Sequence, residues 1–535
     1  MNFRPAPNLA PLFLFALNQD LLASRLSLKL ELGSFKVPIF DDLLAKGFFP
    51  QELPPCFSTT SFATVAGLAG GILPAAFTNP PESKPCPYSF ARGGTGAIRR
   101  RLSIVNPVSF YALAQTIAAN WVEIDTHLQS TPFSQSRPMH WPAATRAFKT
   151  LSYTNRFLVA PKARSRSAAR AYLLADLSQF YHSIYTHSIA WAFHTKAVAK
   201  ANHSPALFGN RIDMPVQRGQ DRQTRGIPIG PDTSLVIAES VLAEVERNII
   251  QRLPNLRGIR FIDDYELCFP DLGSAENALS VIQEELQQFE LQLNPTKTRI
   301  VSPPIRFEPE WVGEFRTFVL RTNSGQHGDL VRFFDLITRH LEPDTEAHVA
   351  KYAMSKMLLQ SFVPRIENQS LYQALLCQLL VTQPSAAKEI ISCIILLATS
   401  GAQIDTALIM ASFSEVIKRA VPLGHHYEVS WVLYGILRLN LTIDPATTAV
   451  LSNSDSAVIA LMSLNAWQRG LVPSLTAALW TPHMTTADLH DEYWLLSYEA
   501  ARLGWLPSAG VPDHILSDPA FNFLRTQGIS FYQPV

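Results

Sequence analysis

The sequence predicts an α+β fold class, with a mixed domain first and an all-α C-terminal domain of stacked helices after it. Short apolar runs that end at acidic residues, which are typical of buried strands, occupy the middle of the chain. Helix-period apolar runs separated by Pro, Gly or Asn occupy its last part. Hydrophobic residues make up 47% and charged residues 17% of the 535 residues, which indicates a globular protein rather than a disordered one.

Residues 1–85 are predicted to form an N-terminal extension without evident chemistry. An apolar run at 9–17 is followed by polar residues 18–20 without a small-residue cleavage pattern, so we expect a helix that packs on the domain rather than a signal peptide. A strand is expected at 35–40, and the small-residue run at 62–77 indicates a packed segment.

Cysteine usage and hydropathy indicate a cytoplasmic protein. The five cysteines are an odd number without the close spacing of metal ligands, which favours a reducing compartment and argues against a zinc site. No apolar run approaches the length that spans a bilayer, so no membrane partner is expected. The net charge of +1 does not indicate whether the protein binds nucleic acid, so the local distribution of charge has to be examined instead.

Three consecutive arginines, Arg99 to Arg101, lead into a predicted strand at 102–105, and a helix is predicted at 109–121. Arginine beside a strand is suited to clamp phosphate oxygens because its guanidinium is bidentate and always charged. A solvated face of the domain is the alternative.

A second basic segment carries five positive charges and no acidic residue. Such a segment could follow a nucleic-acid backbone without reading bases. A solvent-exposed loop is the alternative, but the segment leads directly into Asp176. Its basic residues are Arg156, Lys162, Arg164, Arg166 and Arg170.

The acidic pair Asp263 and Asp264 lies between apolar runs and is predicted to occupy a β-hairpin turn. Adjacent ionised carboxylates repel, so a partly buried pair is costly unless a cation neutralises it. Mg²⁺ or Mn²⁺ is the expected cation because both prefer oxygen ligands, and a further carboxylate is then needed. Asp176, at the end of the predicted strand 172–175, is placed to supply it. A solvated Asp-Asp turn is the alternative for the pair alone.

Loop and helix signals predict the rest of this domain. The loop 226–234 contains two Gly and two Pro, which brings backbone amides close to a ligand. An amphipathic helix at 235–252 follows it. A helix at 275–289, a strand at 291–293 and further strands at 306–320 are expected to complete the domain.

Four motifs follow one another along the chain: D-x-x-x-F-Y-x-S-I at 176–184, G-x-P-x-G-x-x-x-S at 226–234, F-x-D-D at 261–264 and L-x-L-N-x-x-K-T at 291–298. In this order and spacing they resemble the palm motifs of reverse transcriptases. The chain is most similar to the bacterial abortive-infection, or phage-defence, branch of this family. The similarity lies in the exact residues of the second motif, in the Asp-Asp-Tyr-Glu at 263–266 and in the long helical tail.

The resemblance implies three domains: an N-terminal extension (1–85), reverse-transcriptase fingers and palm (86–327), and an α-helical, HEAT-like repeat domain (328–535) that replaces a thumb. The pair His425 and His426 is expected to start a helix or to lie at the surface rather than to bind a ligand. The helix-period runs of the tail are 371–380, 387–397, 428–439 and 492–503.

The resemblance also implies a catalytic set. Asp176, Asp263 and Asp264 would be the metal ligands. Lys297 would act as general acid to the leaving pyrophosphate or pair with phosphate. For Lys297 alone, a surface lysine is the alternative.

Nucleotide-binding positions follow from the same resemblance. Arg100 would touch the incoming triphosphate, and Tyr181 would act as a steric gate against a ribose 2′-OH, with a core aromatic as the alternative. Gly230 and Ser234 would shape the loop and helix under the nascent base. Ile229 stands where many templated members carry Gln.

The resemblance therefore implies a Mg-dependent DNA polymerase that acts in abortive-infection defence, with template-independent and protein-primed synthesis from deoxynucleoside triphosphates. Its product would be single-stranded DNA attached covalently to the protein, and the chain would form a homo-oligomer. One alternative is an RNA-templated reverse transcriptase that uses a partner non-coding RNA. The other is an RNA-binding scaffold on a catalytically spent palm, which the intact Asp176, Asp263, Asp264 and Lys297 argue against.

Overall fold

The structure is a computed structural model of the chain. The expected helix at 9–17 and the first residues of the strand expected at 35–40 lie outside the described residues. The described residues are 38–68, 73–93, 96, 98–150, 155–341 and 348–535.

The described part of the N-terminal extension begins with a helix, α1 (Ile39–Lys46), so residues 39 and 40 of the strand predicted at 35–40 are helical instead. Phe40, Leu43 and Leu44 recur at helical spacing, and both leucines are fully buried. The apolar face therefore follows the 3.6-residue period of a helix rather than strand alternation.

Two antiparallel strand pairs and two helices form the region predicted as fingers. The element bounds are β1 (Cys86–Arg92), β2 (Ile98–Ile104), α2 (Pro107–Ala119), α3 (Trp121–Leu128), β3 (Pro138–His140) and β4 (Phe148–Thr150). β1 and β2 are antiparallel, and Phe90 pairs with Arg100. Asn106 caps α2 because its side chain accepts a hydrogen bond from the Val108 N–H at 3.1 Å.

The predicted palm is built on a central antiparallel sheet. The element bounds are α4 (Asn155–Arg166), β5 (Ala171–Asp176), α5 (Phe180–Ser183), α6 (Ser188–His194), α7 (Lys196–Ala201), α8 (Phe208–Arg218), α9 (Asp232–Arg252), β6 (Arg257–Phe261), β7 (Asp264–Phe269), α10 (Leu272–Gln288), β8 (Arg299–Val301) and α11 (Glu310–Thr317). The sheet has four strands in the order β6-β7-β5-β8. Helix α10 packs on β5 and β7, and α9 packs on α10.

Helices predicted at 109–121, 235–252 and 275–289 are present as α2, α9 and α10. α9 is buried on most sides rather than amphipathic, and its buried residues include Glu239 and Glu246. Buried carboxylates need partners, and those of Glu239 and Glu246 include Arg260 of β6.

Two strand predictions in this region are wrong. Residues 306–320 contain the helix α11, whose buried residues recur at helical rather than alternating spacing. Within the strand expected at 291–293, Leu293 forms an isolated bridge with Leu177. The fourth strand of the central sheet is β8 instead.

Stacked helices form most of the chain after α11, as the sequence predicts. The element bounds are α12 (Gln326–His340), α13 (Val349–Leu359), α14 (Gln369–Thr382), α15 (Ala387–Thr399), α16 (Thr406–Ala420), α17 (His426–Leu439), α18 (Pro445–Ser452), α19 (Ala457–Gln468), α20 (Trp494–Arg502) and α21 (Pro519–Thr526). Contacts join alternate helices, α13 to α15 to α17 to α19 in one row and α14 to α16 to α18 in the other. Two such rows are typical of helical repeats.

A continuous hydrophobic core joins the three predicted segments of the chain. Phe48 stacks on Phe110 with 4.4 Å between ring centroids, and it lies 5.9 Å from the ring of Phe531. The Trp494 Nε1–H donates to the Ile104 carbonyl at 3.0 Å. The C-terminal end of the helical region therefore packs on both the fingers and the N-terminal extension.

Among the described helices, none is long and apolar enough to cross a membrane alone. One bent pair, Ile366–Thr382 with Pro384–Thr399, meets the length and composition test jointly, with a bend of 119°. All five cysteines of the chain are buried and unpaired.

Candidate active site

Two strands and one turn bring three acidic side chains to the same end of the central sheet. Asp176 ends β5, Asp264 begins β7, and the two are direct cross-strand partners. Asp263 lies in the turn between β6 and β7, where its carbonyl accepts a hydrogen bond from the Leu177 N–H at 3.3 Å. Antiparallel pairing of β5 with β7 thus joins acidic residues that are distant in the sequence.

Burial and mutual repulsion make these carboxylates hard to ionise together. Burial raises the pKa of Asp263, and the Asp176 carboxylate raises it further. Burial, the Asp263 carboxylate and contact with Asp176 raise the pKa of Asp264 to about 7. Since Asp264 is also solvent-exposed at its outer edge, water screens part of this repulsion. Near neutral pH the cluster therefore favours a bound cation or a shared proton.

Asn294 and Lys297 hold the Asp176 carboxylate from the segment after α10. Lys297 Nζ lies 3.3 Å from Asp176 Oδ2, and Asn294 Nδ2 donates to Oδ1 at 3.4 Å. The Asn294 backbone N–H also donates to the Asp176 carbonyl at 2.7 Å. Lys297 is thus a counter-charge for Asp176 inside the site.

The donor set at this end of the sheet fits a hard divalent cation. Asp176, Asp263 and Asp264 lie close to Lys297, which contacts Asp176. Carboxylate oxygens are the ligands that Mg²⁺ and Mn²⁺ prefer. Within the described ranges, no group of three or more His, Cys, Asp or Glu side chains is already arranged as a metal centre. Asp176, Asp263 and Asp264 would therefore need oxygens of a ligand, such as phosphate oxygens, to complete a coordination shell.

The turn that carries Asp263 has an unusual backbone that two side chains hold in place. Ile262 has a φ of 55°, a left-handed conformation that is strained for a β-branched residue. Its N–H donates to Ser136 Oγ at 2.6 Å, and its carbonyl accepts from Arg260 Nη1 at 2.8 Å. Ser136 and Arg260 therefore fix the turn and, with it, the direction of Asp263.

Arg260 is fully buried between two carboxylates of α9. It donates to Glu239 at 2.8 and 3.0 Å and to Glu246 at 2.5 Å. Burial alone would lower the pKa of Arg260, but Glu239 and Glu246 raise it well above its usual value, so the guanidinium stays charged. The hydroxyls of Thr131 and Ser136 donate at 2.6 Å to Glu246 and Glu239. The buried charges are therefore paired and hydrogen-bonded, as stability requires.

Alternation along β2 separates the arginines of the finger strand. Arg99 donates to both carboxylate oxygens of Glu428 at 2.8 and 2.7 Å, and Arg101 lies 3.5 Å from Glu492. Both partners belong to the helical region. The face of β2 that carries Arg99 and Arg101 is therefore bound to the C-terminal helices.

Arg100 lies on the opposite face of β2 and is exposed. Its charge opposes the rise that burial and Asp176 cause in the pKa of Asp263. Burial and the charge of Arg100 lower the pKa of His182, which lies within the first palm motif. Arg100 is thus the finger arginine that faces the carboxylates.

His425 and His426 also join the helical region to the fingers. His425 Nδ1 contacts Arg99 Nη2 at 2.6 Å, and His426 Nδ1 accepts from the Ser89 N–H at 3.2 Å. Burial lowers the pKa of His426 to about 4, so its ring is neutral at neutral pH. The pair starts α17, as the sequence predicts.

Tyr181 lies beside the carboxylates and is partly buried. Burial, followed by the charges of Glu239 and Asp263, raises the pKa of its hydroxyl, which therefore stays neutral. Its carbonyl accepts from the Ile227 N–H at 2.8 Å, which ties the first palm motif to the loop 226–234.

Gly230 and Ser234 lie within the packing of that loop. Gly230 has a φ of 137°, and a Cβ there would meet Pro50 Cγ at 2.6 Å, so a side chain does not fit. Ser234 is buried and lines a small internal cavity with Phe110 and Pro215. Both residues shape the loop from inside the protein, and a direct nucleotide contact for either stays a prediction.

Comparison with protein families agrees with this geometry. The family model described as reverse transcriptase (RNA-dependent DNA polymerase) matches residues 101–312, which include Asp176, Asp263, Asp264 and Lys297. The chain contains a reverse transcriptase domain. Comparison with curated proteins gives no match.

Among solved structures, the chain is similar to two telomerases. It is 9% identical to apo telomerase from Candida tropicalis, with 68% of this chain and 67% of that chain covered and a TM-score of 0.30. It is 12% identical to telomerase from Candida albicans in complex with the TWJ fragment of telomeric RNA, with 69% of each chain covered and a TM-score of 0.29. At such TM-scores, neither likeness supports a functional argument.

Helix α4 of the reverse transcriptase domain carries the second basic segment up to Arg166, and the fold neutralises part of the charge of this segment. Arg166 donates to both oxygens of Glu266 at 2.5 and 2.9 Å, and Lys162 lies 3.3 Å from the same carboxylate. Lys162 and Arg166 therefore support the sheet through β7. The residues that stay candidates for nucleic-acid contact are the exposed Arg164 and Arg170, together with Arg156, whose side chain lies outside the described residues.

The residues that fix the catalytic turn of the reverse transcriptase domain were not predicted from the sequence. They are Ser136, Arg260 and the two glutamates of α9. The sequence does contain a pattern that could have predicted them. Glu239 and Glu246 are two helical turns apart on one face of an apolar helix. Buried carboxylates at that spacing indicate a buried cation opposite them.

Proposed function

We propose that this chain is a metal-dependent nucleotidyltransferase that joins deoxynucleotides into DNA. The observation that carries the proposal is the cross-strand pairing of Asp176 with Asp264 beside the Asp263 turn. These residues would hold Mg²⁺ or Mn²⁺, which when bound would acidify the attacking hydroxyl and neutralise charge on the pyrophosphate. The reverse transcriptase domain supports a polymerase-type reaction.

In the proposed reaction, a primer hydroxyl oxygen forms a bond to the α-phosphorus of a deoxynucleoside triphosphate. The bond from that phosphorus to the pyrophosphate oxygen breaks, and the hydroxyl proton passes to solvent. Lys297 donates a proton to the pyrophosphate or pairs with it. Arg100 holds the triphosphate from the finger strand because its guanidinium faces the palm. Tyr181 presses on the position of a ribose 2′-OH and so favours deoxynucleotides.

The proposal extends to a biological role. The enzyme would act in the cytoplasm in abortive-infection defence, as a homo-oligomer that makes DNA without a template from a protein hydroxyl. The supporting features are the residue sequence of the loop 226–234, Ile229 within that loop, and the stacked helices that follow the palm. The product would be single-stranded DNA attached covalently to the protein.

The test is incubation of the purified full-length chain with Mg²⁺ and one deoxynucleoside triphosphate at a time, without template or primer. We expect a protein band of lower electrophoretic mobility. Nuclease treatment should remove the attached DNA and return the band to its original position. Asp263→Ala must abolish this band. Asp335→Asn, which changes an exposed acid of α12, must leave it intact.

The other outcomes of this experiment are informative. Products that form only after RNA is added would overturn template-independent synthesis in favour of an RNA-templated reverse transcriptase. If the wild type forms no product with any nucleotide or RNA while it still binds RNA, the polymerase proposal is wrong and the scaffold alternative takes its place.

A further inference from the structure

A groove of about 600 Å³ lies beside the catalytic end of the palm. Gln292 lines it, and the carbonyl of Gln292 accepts a hydrogen bond from the Ser178 N–H at 2.8 Å, two residues after Asp176. Ser183, from the first palm motif, lines it as well. The groove therefore adjoins the chain segments next to Asp176. Asn294 and Lys297, which contact the Asp176 carboxylate, are not among the residues that line the groove.

The charge of the groove suits an anion. Lys196 and Lys200 of α7 line it together with Arg225, the residue before the loop 226–234, and Glu290 is the one carboxylate among its lining residues. Lys200 and Arg225 are exposed. Within the described ranges, Arg225 has no carboxylate within ion-pair distance, unlike Arg99 in the fingers. Three positive charges against one negative charge favour phosphate groups.

Aromatic rings lie under these cations. Trp191 and Tyr185 line the groove with 5.5 Å between their ring centroids. Lys196 Nζ lies 4.4 Å and Lys200 Nζ 5.8 Å from the Trp191 ring centroid. Trp191 is 5% exposed and forms part of the floor, whereas Tyr185 is only partly buried and is accessible to a base. Cations beside accessible rings are typical of sites that bind single-stranded nucleic acid.

We propose that this groove binds a few nucleotides of a single-stranded polynucleotide beside the active site. Lys200 and Arg225 would contact its phosphates, and Tyr185 would stack on a base. The volume lies in the range of ~300–1,000 Å³ that is usual for small-ligand sites, which is too small for a duplex. The choice of a polynucleotide rests on the proposed function, but its binding needs no catalysis and is measured separately.

The test measures binding of a labelled oligo(dT) or oligo(rU) of about 12 nucleotides, a length within the usual ~4–16 nucleotide site size. The full-length protein carries Asp263→Ala and is kept in EDTA, so that no nucleotide is added. We expect the double change Lys200→Glu with Arg225→Glu to weaken binding by at least about tenfold. It should also reduce the slope of log affinity against log salt by about 0.7 for each phosphate that the protein no longer neutralises.

Two further variants separate a site from a general charge effect. Arg419→Glu reverses an exposed charge on α16 and should leave both affinity and salt slope unchanged. Arg225→Lys keeps the charge and should retain most of the affinity. Thermal unfolding must be the same for all variants, since each change is at the surface. The oligonucleotide that binds more tightly identifies the strand as DNA or RNA.

The proposal is overturned if the double variant binds both oligonucleotides as tightly as Arg419→Glu does. It is also overturned if oligonucleotide binding is unchanged while binding of a labelled deoxynucleoside triphosphate or of poly-glutamate weakens, since the groove then serves another ligand. If charge reversal weakens oligonucleotide binding but the wild type never adds nucleotides, the groove is a polynucleotide site and the proposed nucleotidyl-transfer reaction is wrong.

Discussion

The catalytic turn and the finger strand are each held by an arginine that binds carboxylates, but the partners of these arginines come from different parts of the chain. In the palm, Arg260 binds Glu239 and Glu246 from a helix of the same domain. In the fingers, Arg99 binds Glu428, which lies 329 residues later in the helical region. The turn is therefore fixed from within the reverse transcriptase domain, whereas the finger strand depends on the C-terminal helices.

This difference assigns separate tasks to the two regions. The turn that carries Asp263 is fixed within the reverse transcriptase domain, by Ser136 and Arg260. Arg100, the residue proposed to hold the triphosphate, follows Arg99 directly, so its position is coupled to Glu428 and α17. Damage to the helical region should therefore impair substrate binding before it impairs the carboxylates.

The largest effect is expected from Arg260→Met, which removes the buried arginine that holds the catalytic turn. The change leaves Glu239 and Glu246 buried without their cation, so the free energy of unfolding should fall by about 3–5 kcal/mol. Urea unfolding measures this loss. Arg252→Met is the matched control, because the pairs of Arg252 with Glu284 and Glu285 are solvent-accessible and contribute little. Equal losses for the two variants would contradict the account.

The finger side is tested by Glu428→Gln, which leaves Arg99 without a carboxylate. We expect the free energy of unfolding to fall by about 2 kcal/mol. The KM for deoxynucleotide should rise severalfold with little change in kcat, and amide hydrogen exchange in β1 and β2 should become faster. Glu492→Gln removes the weaker interaction with Arg101 and should show neither effect. A fall in kcat at unchanged KM would show that Glu428 acts on the carboxylates instead.

A smaller change beside the turn is Ser136→Ala, which removes the acceptor of the Ile262 N–H. The free energy of unfolding should fall by about 1–2 kcal/mol. Because the turn then moves, kcat should fall about tenfold at constant KM. Ser134→Ala also removes a hydroxyl bonded to Glu239 but leaves the hydrogen bond to the turn in place. If both variants lower kcat equally, Ser136 does not position the turn.

The smallest effect is a pH dependence at the contact between α17 and the fingers, where His426 accepts from the Ser89 N–H. His426 in the unfolded chain gains a proton below its ordinary pKa of 6.5, but in the folded chain burial delays this to about 4. The stability from neutral His426 is thus complete above pH 6.5 and is lost as the pH falls toward 4. At about pH 5.5 the loss should be about 1 kcal/mol.

Thermal unfolding at neutral pH and at about pH 5.5 checks this prediction. His426→Gln should lose less stability on acidification than the wild type does. His203→Gln, at an exposed histidine, should behave as the wild type. Identical acid sensitivity in the wild type and His426→Gln would exclude His426 as the cause.

The carboxylate-bearing elements were predictable from the sequence because their signals are local. An apolar run that ends at Asp176 and an acidic pair between two apolar runs define a strand and a hairpin turn without knowledge of the rest of the fold. The register that pairs Asp176 with Asp264 is a tertiary feature. The strands predicted at 35–40 and 306–320 failed because helical spacing of buried residues outweighed their β-like composition.

Long-range partners were not predictable, since no local pattern identifies them. The basic segment before β5 contains no acidic residue, yet the fold brings Glu266 to Lys162 and Arg166. Likewise, nothing near Arg99 in the sequence indicates Glu428. Such pairs appear only when strands and helices that are remote in the chain come together.

The central claim is that Asp176, Asp263 and Asp264 together bind divalent metal at a nucleotidyl-transfer site. Electron paramagnetic resonance of Mn²⁺, titrated with and without a non-hydrolysable deoxynucleoside triphosphate, tests it most directly. We predict Mn²⁺ binding that the nucleotide strengthens and that Asp263→Asn abolishes, while Asp335→Asn leaves it unchanged. Equal Mn²⁺ binding by the wild type and Asp263→Asn would contradict the claim.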